Sequence, residues 1–252
     1  MKKIVTFMII LGMLVFGVST MLMAQDGAGV TTVDEEVIQS TSFHAALKIK
    51  FIEGGAGFMA AIALSLILGL AIAIERVIYL NLSDTNTKKL IDNIEDALSN
   101  GGVDAAKELC RNTRGPVASI FYQGLLRYDQ GLDMVEKSVV SYGSVQMGLM
   151  EKGLTWIALF IAIAPMLGFL GTVIGMIDAF DAIQRAGDMS PSLVAGGIKV
   201  ALITTVGGLV VAIILQVFFN YCTSKVESIV NKMEDASVSL LDILVKYNQK
   251  HA

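Results

Sequence analysis

The chain reads as an all-α integral membrane protein: three transmembrane helices extended into a cytoplasmic helical bundle, preceded by an N-terminal signal-like hydrophobic segment. Two observations predict this. Three uncharged runs, Gly54–Ile74, Gly153–Ile177 and Val200–Ser224, hold 21, 25 and 25 residues. A helix rising about 1.5 Å per residue needs roughly 20 residues to cross the hydrocarbon of a bilayer. Of the 252 residues, 54% are hydrophobic and only 17% are charged, with mean hydropathy +0.65, a composition foreign to soluble enzymes. The net charge of −4 excludes a nucleic-acid binder that works by neutralising phosphates.

Residues 1–24 run Met-Lys-Lys, an apolar stretch, then a polar turn at Gln25-Asp26. That is the order of a signal peptide with Ala24 as a cleavage point, although Leu22 fits the minus-three position poorly and the uncharged run is long enough to stay as an anchor. Residues 25–53 form a polar periplasmic segment carrying Asp34, Glu35 and Glu36, which ends in a short amphipathic helix from Phe43 to Phe51 along the membrane surface.

The first transmembrane helix covers 54–80, with Ala56, Ala60, Ala63 and Gly69 as a flank for helix contact and Glu75-Arg76 as an interface charge pair. Residues 81–152 form a cytoplasmic helical region. Leu90, Ile91, Ile94, Ala97 and Leu98 fall at helical spacing, Asn100-Gly101-Gly102 stops that helix, and Gly115-Pro116 breaks the chain again before Val117, Ile120, Phe121 and Leu125. From Asp133 a helical pattern runs into the second transmembrane helix, 153–180, with no proline until Pro165, which predicts one continuous rod.

The second span is an unusual anchor. Pro165 removes a backbone donor, Gly168, Gly171 and Gly175 strip side chains from one flank, and Thr172 places a hydroxyl at mid-membrane depth. Small residues at three- and four-residue spacing let another helix approach closely. A short periplasmic loop over 181–197 follows, with Ser190 and Pro191 as the cap and first turn of the next helix. In the third transmembrane helix, 198–224, Ala201, Thr205, Gly208, Ala212 and Gln216 share a face. Residues 225–252 form a cytoplasmic C-terminal helix with Val226, Ile229, Met233, Leu240 and Leu244 on one side, suited to bundling with the rod. Counting Lys and Arg near the span ends gives seven inside (Arg76, Lys88, Lys89, Lys137, Lys152, Lys225 and Lys232) and four outside (Lys48, Lys50, Arg185 and Lys199), in keeping with this orientation.

Nothing in the sequence makes an enzyme. It has no G-x-S-x-G, Walker or HExxH pattern and no Cys/His cluster, so no catalytic residue, metal site or cofactor is expected. Cys110 and Cys222 are expected as free thiols, and His44 and His251 are isolated. An ion path inside a membrane usually carries a carboxylate or imidazole, yet the last two spans hold neither between Gly153 and Ile177 or between Val200 and Ser224; they offer the hydroxyls of Thr172 and Thr205 on small-residue faces. Hydroxyls orient water or solvate a carboxyl, but they do not titrate at neutral pH. A proton path through this chain therefore needs an acid from another subunit. Membrane threonines also bond their own backbone, and glycines also serve packing alone, so spacing leaves both uses open.

Two stretches in order carry a resemblance. Ala164-Pro-Met-Leu-Gly-Phe-Leu-Gly-Thr-Val-Ile-Gly-Met-Ile177 closely resembles the core motif of the MotA/TolQ/ExbB proton-channel family, and Ala201-Leu-Ile-Thr-Thr-Val-Gly-Gly-Leu-Val-Val-Ala-Ile213 is similar to its second motif. Glu75-Arg76, Gly115-Pro116, Gly124-Leu125 and Asn220 extend the match, and three spans suit the ExbB/TolQ branch. The resemblance implies a multi-pass protein of the bacterial inner membrane, assembled as a homo-oligomer, a pentamer, around a single-span ExbD- or TolR-like partner that supplies the membrane Asp. It implies a TonB-like or TolA-like energy transducer as recipient of the work, with the proton motive force energising outer-membrane transport. It places the pore-lining threonines on Thr172 and Thr205 and the helix-kinking proline on Pro165. Two departures stand out: Val200 beside Lys199 replaces a Glu before the second motif, and Ile213-Ile214 replaces Ala-Ile-Pro-like sequence after it. Lys199 pairing with Asp178 or Asp181 would compensate for the first, although a plain interfacial lysine is the simpler expectation. Two rivals predict differently: a non-conducting membrane scaffold whose glycines serve oligomer packing, and a channel that conducts without a partner.

Overall fold

The computed structural model describes residues 43–187 and 191–251. The expectations for residues 1–24, for the polar segment through residue 42 and for Ser190 as a cap lie outside the described residues. The chain divides into two compact units, Met1–Ala46 and Leu47–Ala252, and the second holds the architecture that follows.

Among the described residues there is helix and no strand. In chain order the helices are α1 (Phe43–Glu53), α2 (Ala56–Ser83), α3 (Thr87–Asn112), α4 (Pro116–Leu125), α5 (Leu132–Glu151), α6 (Leu154–Ala186) and α7 (Pro191–His251), with one 3₁₀ turn at Tyr128–Gln130. Three of them contain windows long and apolar enough to cross a membrane, and only 22–28% of each window is buried within the chain. Large apolar side chains such as Leu64, Ile67, Phe169, Val173, Leu202 and Val206 face outward. With no water to shun, such surface is stable against lipid or other apolar helices. The protein is an all-α, multi-pass membrane protein.

Helix α7 is 61 residues long, about 90 Å at 1.5 Å per residue, and is the spine of the molecule. Its first half packs on α2 and α6, and its second half on α3, α4 and α5. One apolar cluster runs from Ile62 through Leu215 and Phe121 to Leu244. Val226, Ile229, Met233, Ala236, Leu240 and Leu244 are buried along it at three- and four-residue steps, the spacing that keeps one seam against neighbouring helices. In α4, Val117, Ile120, Phe121 and Leu125 all turn inward.

Four expectations are corrected. The rod expected from Asp133 into the second span is broken: α5 ends at Glu151, Lys152 has an extended ψ of 129°, and Gly153 sits at φ 89°. That φ is open to glycine and strained for other residues, so a glycine that continues the apolar pattern still interrupts the helix. The loop expected over 181–197 is shorter, because α6 continues to Ala186 before Gly187 ends it and α7 starts at Pro191. Helix α1 is not amphipathic: exposed Lys48, Ile49, Lys50 and Ile52 mix basic and apolar groups around its surface. On α2 the flank in contact is Ile62, Ser65, Gly69, Ala73 and Leu80, whereas Ala56 and Ala60 are exposed.

Other breaks fall where glycine and proline place them. Gly102 (φ 73°, ψ −166°) kinks α3, and Pro116 opens α4 in its first turn. The end of α2 is fixed to α7 by polar contacts. Asn81 Nδ2 donates to Tyr221 Oη at 3.2 Å, and the Asp84 carboxylate receives Lys225 Nζ at 2.6 Å and Lys232 Nζ at 2.5 Å.

Candidate functional site: a hydroxyl seam between α6 and α7

The two glycine-bearing helices meet backbone to backbone. A Cβ on Gly168 would lie 2.8 Å from the Thr204 carbonyl oxygen and 3.1 Å from Thr205 Cα. One on Gly171 would lie 2.8 Å from Thr204 Oγ1, and one on Gly175 would lie 3.4 Å from Ala201. From the other side, a Cβ on Gly208 would stand 2.5 Å from the Ala164 carbonyl oxygen and 3.2 Å from Pro165 Cα. At Gly168 and Gly208 the obstacle is backbone, so neither admits a side chain without moving a helix; at Gly171 it is the Thr204 side chain, and at Gly175 a methyl group would be in ordinary contact. Pro165 lies inside α6, which runs on without interruption. Its missing N–H leaves the Ile161 carbonyl without the usual helical donor.

This close approach brings Thr172 and Thr205 together. Their hydroxyls are in direct hydrogen-bond contact, and either can donate. Thr172 Oγ1 also reaches the Ala201 carbonyl at 3.1 Å and the Gly168 carbonyl at 3.2 Å, while Thr205 Oγ1 reaches both of those carbonyls at 3.4 Å. Each hydroxyl has one proton and two lone pairs. The pair therefore has more acceptors around it than protons to give, and both residues are half-buried at the edge of the helix contact. Such a pair can hold water or a protonated carboxyl by hydrogen bonding. It cannot itself take up charge near neutral pH, and no carboxylate or imidazole lies between Gly153 and Ile177 or between Val200 and Ser224.

Sequence reasoning missed Thr204 and set the α7 face one residue out of phase. The buried row is Ala201, Thr204, Gly208, Val211 and Leu215, while Thr205 and Ala212 are half-buried and Gln216 is exposed. Thr204 is 0% exposed and donates to the Ala201 carbonyl at 2.8 Å. The signal was the three-then-four spacing 201-204-208-211-215, which a face built on 201-205-208-212 obscures. Thr204 is the packing threonine, and Thr205 is the one turned toward Thr172 at the rim.

Glu75 and Arg76 are elsewhere, at the far end of α2. Arg76 Nε and Nη2 each lie 2.5 Å from Glu75 carboxylate oxygens, and Nη1 donates to the Lys152 carbonyl at 2.9 Å. Lys199 does not reach Asp178 or Asp181. Its Nζ lies 2.9 Å from Glu53 Oε1, and Lys50 Nζ lies 3.3 Å from Oε2. The hydrogen bond from Lys199 holds the Glu53 carboxyl below its ordinary range. Asp178 and Asp181 are exposed, so the carboxylate that Lys199 meets comes from the helix before α2. Cys110 and Cys222 are free and buried. Among the described residues, no group of His, Cys, Asp and Glu could hold a metal ion.

The model of the MotA/TolQ/ExbB proton channel family matches residues 112–235, a stretch that contains Pro165, Gly168, Gly171, Thr172, Gly175, Thr205 and Gly208. A biopolymer transport protein ExbB homologue from Methanothermobacter thermautotrophicus is 34% identical over 169 residues, 67% of this chain and 60% of that protein. The biopolymer transport protein ExbB of Xanthomonas campestris pv. campestris is 30% identical over 140 residues, 56% of this chain and 54% of that protein. The ExbB of Neisseria gonorrhoeae is 36% identical over 95 residues, 36% of this chain and 43% of that protein. This chain thus spans less than two thirds of each of these relatives. A family model laid over the paired threonines and relatives that share one description lead to one conclusion: the chain belongs to the MotA/TolQ/ExbB proton channel family.

Proposed function

We propose that this chain is the channel and motor subunit of an inner-membrane complex that uses the proton motive force. A single-span ExbD- or TolR-like partner supplies an aspartic acid against the Thr172–Thr205 seam, and the work passes to a TonB-like or TolA-like transducer for outer-membrane transport. The observation that carries this reading is the contact of two hydroxyls at mid-span, with no acid between Gly153 and Ile177 or between Val200 and Ser224. The pair suits a carboxyl that arrives from outside, donating to its oxygens when it is charged and accepting its proton when it is neutral. A homo-oligomer, a pentamer on the family's plan, would cover the exposed apolar faces of α6 and α7 and enclose the partner's span.

The energies are matched in scale. A charge at mid-bilayer costs about 2.5–3.5 kcal/mol on the translocon scale. One proton crossing the membrane potential releases roughly 2.3 kcal/mol per 100 mV. Each proton taken up and released by the partner's carboxyl is thus enough for one discrete movement of that partner. In this reading Pro165 and the glycines at 168, 171, 175 and 208 hold the seam narrow, so that the hydroxyls stay within reach of one another.

The test is purification of the complex from its own membranes, followed by reconstitution. A short companion chain with an Asp in its single span should co-purify, and proton flux should require it. Flux from this chain alone would select the self-sufficient channel. An assembly with no flux in any combination would select the scaffold.

A further inference from the structure

We infer that the break between α5 and α6 is a two-position joint, and that Arg76 is its latch. In an unbroken helix the Lys152 carbonyl would accept from the Trp156 N–H. Here the Trp156 N–H goes instead to the Gly153 carbonyl at 3.2 Å, joined there by the Ile157 N–H at 3.4 Å. The break therefore leaves the Lys152 carbonyl without its helical donor. Arg76 Nη1 fills the vacancy at 2.9 Å from 76 residues away.

The guanidinium is set for that task by its own helix. Glu75 grips Nε and Nη2 at 2.5 Å each, the Tyr79 ring lies 4.7 Å from Cζ, and the Arg76 side chain is only 12% exposed where Glu75 is 55% exposed. The latch belongs wholly to α2, and the joint belongs wholly to the α5–α6 connection. Arg76 also packs on the joint itself, because a Cβ on Gly153 would lie 3.4 Å from Arg76 Cδ.

The alternative position is the one that the sequence pattern itself describes. From Leu132 to Ala164 the chain contains no proline, so α5 and α6 are kept apart by the backbone of Lys152 (ψ 129°) and Gly153 (φ 89°) together with the Arg76 contact. If Lys152 and Gly153 become helical, the Lys152 carbonyl takes the Trp156 N–H, Arg76 is released, and α5–α6 forms one rod. Both positions satisfy that carbonyl with one hydrogen bond, which makes the joint a two-state element. Movement of α2 against α6 and α7 would pull the latch, and the polar bundle would then change its angle to the spans. This inference concerns the chain's own conformations and stands whether or not the seam conducts protons.

Spin labels at Leu82→Cys on α2 and Val145→Cys on α5 test it in the full chain, reconstituted in lipid. Both sites are exposed, at 74% and 53%, whereas native Cys110 and Cys222 are buried and will not take label. Arg76→Gln removes the latch; Gly153→Ala makes the left-handed position unfavourable and the helix favourable. The expected result is the same new distance population in both variants, displaced by several ångströms, with no further shift in the double variant. Arg76→Lys should show part of that population, since one ammonium cannot hold Glu75 and the carbonyl in the same geometry. A distribution that matches wild type in Arg76→Gln, in protein of normal helicity and elution, overturns the inference. So do two unrelated new distances in the two single variants. If Gly153→Ala fails to fold, the Arg76 variants decide the matter alone.

Discussion

Gly208 lies directly beneath the carbonyl of Ala164, so close that a Cβ at Gly208 would stand 2.5 Å from that oxygen. Two helix backbones are in contact there, next to Pro165, and the contact sets how near Thr172 comes to Thr205. Gly208→Val should force the helices apart and cost about 1–3 kcal/mol. Gly171→Val, which would run into Thr204 Oγ1, should cost a similar amount. Thermal unfolding in detergent reads this, with Gly148→Ala as control. Gly148 has open space around its α carbon, and alanine there should raise helix stability by up to about 1 kcal/mol.

Thr204 and Thr205 are neighbours in sequence with opposite expected phenotypes. Thr204→Val removes a buried 2.8 Å hydrogen bond to Ala201, and should lower stability by about 1 kcal/mol with little direct effect on proton movement. Thr205→Val loses only 3.4 Å backbone contacts besides its contact with Thr172. It should unfold at nearly the wild-type temperature and lose the proton-linked function. Unfolding midpoints and flux, measured on the same two preparations, separate the roles.

Asp84 joins α2 to α7 through Lys225 and Lys232, and its environment predicts a pH dependence. Partial burial pushes the carboxyl up, but hydrogen bonds from the two ammoniums outweigh it, leaving the pKa below the ordinary carboxylate value. A carboxyl with a depressed folded-state pKa stabilises fully above its unfolded value, near 4, and that contribution disappears as pH falls through the folded value. Asp84→Asn should cost about 1–2 kcal/mol at pH 7, between the worth of exposed and of buried pairs. The gap between wild type and variant should close as pH is lowered from about 5 toward 2 in a series of unfolding curves.

Cys110 is buried in α3, and burial pushes its thiol up to about 12. With so little thiolate at pH 8 and no access, it should resist maleimide labelling in the folded protein, as should buried Cys222. Denaturant should make both label fully. Fast labelling of Cys110 in native protein would show that the bundle of α3 with α4 and α7 opens readily.

Much of the fold was legible because hydrophobic runs and helical spacing are local properties. Val226, Ile229, Met233, Leu240 and Leu244 mark their face without help from the rest of the chain, and Gly115-Pro116 marks a break that any neighbour must accept. The phase of α7 was not legible in the same way. Its face from Ala201 onward contains two adjacent threonines, and only the fit of Gly171 against Thr204 decides which one turns inward. The interruption at Lys152–Gly153 was hidden for a related reason, since the local pattern favours a straight helix and the guanidinium that sustains the break comes from Arg76, 76 residues earlier. Lys199 found Glu53 rather than Asp178 or Asp181 because pairing of exposed charges follows the packing of helix ends, which sequence separation does not report. The encounter of Thr172 with Thr205 was anticipated only as a shared character of two faces; the bond between them is a tertiary fact.

Proton uptake into proteoliposomes, driven by a potassium-diffusion potential and followed with an internal pH dye, bears most directly on the hydroxyl pair. The vesicles should hold the complete complex with its companion chain, comparing wild type with Thr172→Val and Thr205→Val. The account predicts that each valine leaves the size of the complex unchanged and slows uptake by about tenfold or more, a barrier increase of roughly 1.4 kcal/mol or above. Wild-type uptake in both variants would contradict it.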